Sequence, residues 1–330
     1  MSDELYNNLK PLLGPSEEAI ILIRPDPDSL SSACALRELF KKNHSGAEIV
    51  TYEPIKRLDN RTMVKTLRIP LTPLKEVKLK DFTRFCIVDG QPNQFPDVSV
   101  DEWHIIIDHH PPVSGYDAAF KDIRPELGAT ATIMAEYLFN AEFKIGQKLA
   151  TSLCYGIITD TDRFQRNMTQ DDALAFSSLF PHISYHLLKV IEQTEIPMRQ
   201  LRFIDTAIHR LHVKSRRAVV HIGAPESADI AVIIADFLLG VSGIEFVAVS
   251  CVVPEKLIII FRSRSTRRDA GKIARLHFSK FGSAGGHSTA ARAELPLSEL
   301  PREVKIYSPE SIEDFIKKRL SRPGKKSADQ

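Results

Sequence analysis

The sequence is poor in the features that would fix its class at once. Its four cysteines, Cys34, Cys86, Cys154 and Cys251, lie far apart and form no Cys-x-x-Cys pair, which argues against a disulfide-stapled or thiolate-zinc fold. Each sits in an apolar context, the setting of a buried reduced thiol, and a cytoplasmic location is expected. The formal net charge is only +2, so there is no global field for polyanions, and any contact with nucleic acid must come from a local patch. Long apolar runs are lacking too. The most apolar window, 231–253, is broken by Asp236, Gly240, Gly243 and Glu245, and it reads as a helix, a turn and a strand rather than a membrane span. The first ten residues are polar and acidic, unlike a signal peptide.

What is there is a chain of 330 residues with the composition of a globular protein, long enough that two domains are the natural expectation. Its first half repeats one pattern. Short apolar segments stop abruptly, and the stop is acidic. Residues 19–23 form a buried-strand run that ends at Arg24-Pro25 and is followed by Asp26-Pro27-Asp28-Ser29. A helix then carries Leu30, Ala33, Cys34, Leu36, Leu39 and Phe40 on one face. Strand, acidic turn and helix open a βαβ unit, although Asp at a helix start also serves as an N-cap. A second strand is expected over 47–52, a helix over 60–67 and a loop over 70–73. Residues 84–88 form another short strand, ended by Asp89-Gly90-Gln91-Pro92. The run 103–107 ends in Asp108-His109-His110-Pro111-Pro112, where the prolines cannot continue a ladder. Helices are expected over 130–139 and 149–159, the latter closing on Asp160-Thr161-Asp162.

Parallel neighbouring strands would bring these acidic tips to one sheet edge, the place where open α/β sheets bind ligands. So many carboxylates cannot share a small concave site unless cations neutralise them. An oxygen and imidazole donor set suits Mn²⁺ or Mg²⁺. A bridging carboxylate such as Asp89 would hold two ions roughly 3.5–4 Å apart, an arrangement used to hydrolyse phosphate esters.

In the second half, helices are expected over 170–181 and 198–211, with His209 and His212 as surface residues. The cluster Lys214, Arg216 and Arg217 marks a domain boundary. A strand over 218–222, a helix over 230–239 and strands over 246–252 and 256–262 follow, the last two joined by a Pro254-Glu255 turn. Between Arg262 and Lys280 there are seven Lys or Arg residues against one acid, Asp269. A glycine-rich loop, Gly282 to Ser288, comes next. Its backbone N–H groups, with His287, could meet an anion. Ser308 caps a terminal helix over 312–320, and 322–330 has no hydrophobic period and is expected to be disordered.

Together these segments resemble the DHH phosphoesterase family, in the subgroup that carries the DHH-associated C-terminal domain, an oligoribonuclease or pAp-phosphatase-like group. The motifs occur in order: Pro25-Asp26-Pro27-Asp28, Val88-Asp89, Asp108-His109-His110, Gly156-Ile157-Ile158-Thr159-Asp160-Thr161, Arg262-Ser263 and Gly285-Gly286-His287. The resemblance implies an α/β architecture. A parallel-sheet catalytic domain (15–197) and a helical linker (198–214) lead to a smaller α/β substrate-binding domain (215–306), and 307–330 forms a C-terminal helix and tail. It implies Asp26, Asp28, Asp89, His109 and Asp160 as ligands of a two-metal Mn²⁺ site, with Mg²⁺ as the other choice. Asp108 would orient a histidine, His110 would face the phosphate or the leaving oxygen, and Arg262, Ser263, Gly285, Gly286 and His287 would bind substrate. The implied activity is hydrolysis of short oligonucleotides, pAp or dinucleotides, cyclic or linear, through a metal-activated water. No membrane is involved, and a homodimer is compatible with this reading. One position departs from the family. Leu22 stands where a histidine is usual, three residues before Pro25, which weakens the first metal site and leaves a weakly active or inactive nucleotide-binding relative as the alternative. Arg24 offers a cation near that position. A family II pyrophosphatase fits less well, because the second domain carries Gly-Gly-His and lacks a Ser-Arg-Lys-Lys run.

Overall fold

The computed structural model describes residues 2–14, 18–55, 57–193, 196–265 and 267–321; the tail over 322–330, expected to be disordered, lies outside the described residues. The chain divides into two units, Met1–Thr194 and Glu195–Gln330. Among the described residues no helix is long and apolar enough to cross a membrane.

The first unit runs through α1 (Ser2–Leu9), β1 (Ala19–Ile23), α2 (Pro27–Lys42), β2 (Ala47–Thr51), α3 (Leu58–Leu67), β3 (Thr72–Pro73), β4 (Arg84–Val88), β5 (Trp103–Asp108) and β6 (Ala118–Ile123). It continues with α4 (Thr130–Asn140), α5 (Gln147–Asp160), α6 (Gln170–Leu179) and α7 (Tyr185–Glu192). All six strands are parallel, in the order β3-β2-β1-β4-β5-β6. A parallel sheet is covered on both faces, so its strands read as unbroken apolar runs. Ile21, Ile23, Val88 and Ile107 face one core with Leu36 of α2, Met134 of α4 and Ile157 of α5. Ile20, Leu22, Val50, Ile87 and Ile106 face the other, with Phe82, Phe95 and Trp103. The sheet reverses its winding between β1 and β4, which places the crevice for a ligand at the carboxyl ends of β1, β4 and β5.

Two elements differ from the expectation. The 70–73 loop contains the edge strand β3. β6 adds a sixth parallel strand whose residues Ala118–Ile123 are only half covered, so no continuous apolar run announces it. The last acidic tip, Asp160, ends a helix, as expected.

The second unit contains α8 (Leu201–His209), β7 (His212–Lys214), β8 (Arg217–His221), α9 (Asp229–Leu239), β9 (Phe246–Val253), β10 (Lys256–Ser263), α10 (Ala270–Phe278), β11 (Ser283–Gly286), β12 (Ala290–Pro296) and α11 (Pro309–Ser321). Its sheet has the order β11-β12-β10-β9-β8-β7, antiparallel except between β8 and β9. Phe203 and Ala207 of α8 pack into its core beside Ala218, Ile234 and Val249. The expected glycine-rich loop is largely strand β11. There Gly286 has φ 137° and a Cβ on it would stand 2.5 Å from the Ala290 carbonyl oxygen, while its own carbonyl oxygen comes so near α10 that a Cβ on Gly271 would stand 2.1 Å away.

In the first unit the approach of α2 to α5 depends on Gly156. A Cβ at Gly156 would fall 2.5 Å from Ser31 Oγ and 3.2 Å from Asp28 Oδ1. Gly156→Ala should therefore destabilise the unit by about 1–3 kcal/mol through overpacking, read as a lower denaturant midpoint. Gly46→Ala, where a Cβ would meet nothing within 4 Å, should stay within about 0.5 kcal/mol of the parent. Equal midpoints for the two variants would refute the packing argument.

Candidate metal centre

The centre is assembled from the ends of three strands and three helices. β1 leads into α2, whose N-cap is Asp26: Asp26 Oδ1 accepts from Ser29 N at 2.8 Å, and Ser29 Oγ accepts from Asp26 N. Two residues on, Asp28 is 0% exposed and serves a different helix. Its carboxylate accepts from Thr130 N at 2.7 Å and Ala131 N at 2.8 Å, the first N–H groups of α4, whose own N-cap Ala129 has no side chain to satisfy them. Orphan N–H groups and the positive helix end thus hold the buried carboxylate. Asp89 follows β4 in a left-handed conformation, φ 55°, a strained backbone for a non-glycine residue and one that often aims a functional side chain. Thr130 Oγ1 donates to Asp89 Oδ1 at 3.0 Å.

The Asp-His-His segment leaves β5 with its members in separate tasks. Asp108 is buried and accepts from Gln91 Nε2 at 2.7 Å and from His109 N at 2.9 Å. It also lies 2.8 Å from His110 Nδ1. Gln91 is itself fixed, since its Oε1 accepts from Val113 N and Tyr116 Oη. His109 Nδ1 meets the Leu127 carbonyl at 3.1 Å. That turns His109 Nε2 inward, to 2.9 Å from Asp160 Oδ2, 3.6 Å from Asp89 Oδ1 and 3.9 Å from Asp28 Oδ2.

The electrostatics state the problem this geometry sets. Burial pushes the Asp28 carboxyl up to about 7, and the nearby Asp160 charge adds to the effect. Asp89 is held well above the usual carboxylate range by burial and then by Asp26, Asp28 and Asp160. Asp26 is raised by burial, with Asp160 contributing. Burial would lower His109, but the close approach and charge of Asp160 and the charge of Asp28 lift it to about 9. For Asp108 burial also acts upward, and its contact with His110 outweighs it, leaving the carboxyl below its ordinary value. His110 is raised by that same contact. The cluster lacks positive charge, and protons on its own side chains make up the deficit.

A divalent cation fits this donor set. His109 Nε2 is buried and has no hydrogen bond of acceptable direction. The 2.9 Å approach of Asp160 Oδ2 is close enough but out of line with the ring N–H. The contact is therefore ionic. Fixing Nδ1 on a carbonyl and pointing Nε2 at carboxylates is the way a histidine is prepared for a metal. Two groups of donors converge closely enough to hold an ion: Asp28, His109 and Asp160, and Asp89, His109 and His110. The fold thus gathers Asp28, Asp89, His109, His110 and Asp160, with Asp108 behind them. Asp26 belongs to neither group, and its carboxylate caps α2. Leu22 is 1% exposed and packs with Phe95 and Ile87. Arg24 is paired with Glu53 at 2.9 Å and lies over the Tyr52 ring.

The expected substrate residues lie in the second unit. Arg262 Nε donates to Asp236 Oδ1 at 2.6 Å, and Arg262 Nη1 donates to the Phe261 carbonyl. Ser263 Oγ accepts from Ser265 N. Gly285 and Gly286 pair with Arg292 and Ala291 of β12, and His287 N donates to the Ala290 carbonyl. The backbone N–H of His287 is therefore used within the turn, while its side chain is exposed.

Three contributors escaped sequence reasoning. Thr130 and Gln91 hold Asp89 and Asp108, and their signals were weak: a run of small residues ahead of α4, and a glutamine within an apparent strand stop. Asp172, 0% exposed, accepts from Gly128 N and Thr132 Oγ1 and so ties the α4 start to α6. Only its place in the capping box with Thr169 marked it.

Cation binding must displace the protons that the cluster holds. Below the values of about 7 for Asp28 and about 9 for His109 both groups are protonated and compete with the ion. Mn²⁺ affinity, measured by titration calorimetry on the full chain, should therefore rise with pH across that window, with proton release. Asp160→Asn should weaken binding at every pH. An affinity independent of pH would contradict the assignment.

The N-terminal domain of the DHH family matches residues 20–157. An uncharacterized protein of Methanocaldococcus jannaschii is 32% identical over 276 residues, 83% of this chain and 57% of the relative. The A-adding tRNA nucleotidyltransferase of Geobacter sulfurreducens is 26% identical over 244 residues, 68% of this chain and 26% of the relative. The chain thus spans little more than half the length of the first of these and about a quarter of the second. Among solved structures, an exopolyphosphatase-related protein from Bacteroides fragilis superposes with a TM-score of 0.73 at 15% identity, covering 96% of this chain and 95% of that one. Exonuclease RecJ bound to manganese gives 0.50 at 11% identity, covering 98% and 95%. At these identities the structures speak for the fold alone. The match over 20–157 takes in the ends of β1, β4 and β5 and the starts of α2 and α4, and this part of the chain is a DHH-family N-terminal domain.

Proposed function

We propose that the protein is a metal-dependent phosphoesterase that hydrolyses short nucleotide substrates at the centre formed by Asp28, Asp89, His109, His110 and Asp160. The observation that carries this reading is the buried His109 Nε2, fixed from behind and facing three carboxylates within 3.9 Å. Two similar structures support it by what they are: one is related to exopolyphosphatases, and the other is an exonuclease bound to manganese. Divalent ions, when bound, supply the positive charge that draws in a phosphate group and make a water acidic enough to attack it.

The chain's own residues prepare the rest. The N–H groups of Thr130 and Ala131 keep Asp28 ionisable in a dry site, and the Leu127 carbonyl sets the His109 ring. Asp108, anchored by Gln91, holds His110 Nδ1 and favours the imidazolium form. The His110 side chain is 45% exposed, so its Nε2 is the atom placed to give a proton to a leaving oxygen. Asp26 acts through charge and by capping α2. In the second unit, Arg262, Ser263 and His287 are assigned to the substrate's phosphate; Arg262 would exchange Asp236 for it, and Gly285 and Gly286 would shape that surface. The domain limits 15–197 and 215–306, with 198–214 between them, belong to the same proposal. The donor set admits Mn²⁺ or Mg²⁺.

A weakly active nucleotide-binding relative is the second reading, favoured by Leu22 and by the absence of Asp26 from both ligand groups. One assay separates the two. The full chain is incubated with a labelled short RNA, pAp and pyrophosphate under Mn²⁺, Mg²⁺ or EDTA, beside Asp160→Asn. Hydrolysis of RNA or pAp that is lost in both EDTA and the variant is the expected result. Nucleotide binding without turnover at high Mn²⁺ would favour the second reading.

The proton role of His110 has its own test. His110→Gln should lower kcat by about 10²-fold or more, the range of general acid catalysis, on a substrate with a sugar-alkoxide leaving group. With a 4-nitrophenolate leaving group, which needs no proton, the loss should be much smaller. Equal losses on both substrates would remove His110 from that role.

A further inference from the structure

Beyond Asp160 the surface of the first unit carries a row of aromatic rings, anchored to the core through Phe176. Phe164, Phe176, Phe180 and Tyr185 touch in series, with successive ring centroids 5.0, 5.5 and 5.5 Å apart. Phe164, Phe180 and Tyr185 are 39%, 39% and 65% exposed. Aromatic side chains carry a large apolar surface that folding normally buries, and a contiguous exposed patch marks a place of interaction.

The row is continuous with the centre. It starts on the loop that leaves Asp160, and Phe164 is four residues along, so its Cα lies no more than about 15 Å from that of Asp160. Arg166 of the same loop donates from Nη2 to the Asp160 carbonyl at 2.9 Å. Asp162, Arg163 and Phe164 all take left-handed conformations, φ 48°, 56° and 65°. Phe164 N donates to Thr161 Oγ1 at 3.2 Å. The loop is thus bound to the α5 terminus that carries Asp160 while the Phe164 ring stays partly exposed. Arg163 beside it is 68% exposed, 3.4 Å from Glu192.

We propose that Phe164, Phe176, Phe180 and Tyr185 form a stacking surface for the bases of the strand whose phosphate occupies the metal centre. The inference rests on the phosphoesterase reading above and narrows it. The preferred substrate is a base-bearing strand of more than one nucleotide, not pyrophosphate or inorganic polyphosphate. Aromatic side chains bind single strands through the π-faces that every base shares, whereas inorganic phosphates offer these rings nothing. The row also runs over three ring-to-ring steps, more than a single base would cover.

The test compares a short oligoadenylate with an abasic strand of the same length and charge. Both are hydrolysed by the full chain and by Phe164→Leu, Phe180→Leu and Tyr185→Leu, which keep apolar volume and remove the ring. The parent should favour the base-bearing strand, and each variant should raise its KM about tenfold relative to the abasic strand, an effect on the order of one base stack. Variants that shift both strands alike, or neither, overturn the proposal. If no strand is turned over, the phosphoesterase reading fails, and the same pair is compared by fluorescence anisotropy. Tighter binding of the base-bearing strand, lost in the variants, keeps the stacking surface; equal binding removes it. Variants that instead dissociate an oligomer in sedimentation would assign the row to a second copy of the chain and overturn the proposal.

Discussion

The structure of the first unit depends on how a crowd of carboxylates is tolerated at the ends of β1, β4 and β5. Asp28 and Asp89 are almost fully buried, and Asp160 stands beside them. Like charges at such distances cannot all remain ionised in a dry site. Part of the answer lies in the protein itself. The first N–H groups of α4 cap Asp28, Thr130 donates to Asp89, and His109 is driven towards its cationic form. The remainder is a demand for a cation. The reversal of the sheet winding, the small residue at 156 and the tie from Asp172 to the α4 start all serve to bring these groups together.

The same residues illustrate how one side-chain type takes several tasks. Asp26 and Asp28 are two residues apart, yet one caps the helix it begins and the other caps a helix about a hundred residues later in sequence. Asp108 is buried like its neighbours but keeps a lowered pKa, because His110 and Gln91 both approach it. Asp89 depends on an unusual backbone conformation. Their roles follow from what each carboxylate accepts, and not from their shared chemistry.

Much of this was legible in the sequence, because parallel strands advertise themselves. Ile20 to Ile23 and Ile105 to Ile107 are unbroken apolar runs, and their abrupt acidic ends located the crevice. Asp28, Asp89, His109 and Asp160 are expected together from that recurrence, and the fold gathers them in two overlapping donor groups. What escaped was less periodic or less local. β6 is half covered and so has no clean run. Thr130, Gln91 and Asp172 act through single hydrogen bonds to residues distant in sequence, which no local pattern encodes. Asp26 is expected as a ligand beside Asp28, and in the structure its Oδ1 caps α2. The glycines at 285 and 286 read as an anion loop, and the fold places them in strand β11, where a Cβ on Gly286 would strike Ala290 and Ala291 of β12. Leu22 was conspicuous as a departure, and its place among Phe95, Ile87 and Ile106 shows an apolar packing role in that position.

The centre and the aromatic row together offer two kinds of chemistry, a corner of carboxylates and imidazoles and an apolar strip on the segments that follow Asp160. The link between them is the loop after Asp160, held by Arg166 and Thr161. The central claim, however, is the cation at His109 Nε2. The most direct measurement is the anomalous scattering of manganese in crystals of the full chain. The account predicts a peak within bonding distance of His109 Nε2 that is shared with Asp28 and Asp160, or with Asp89. Well-ordered Mn²⁺ peaks elsewhere on the chain and none at His109 would contradict it.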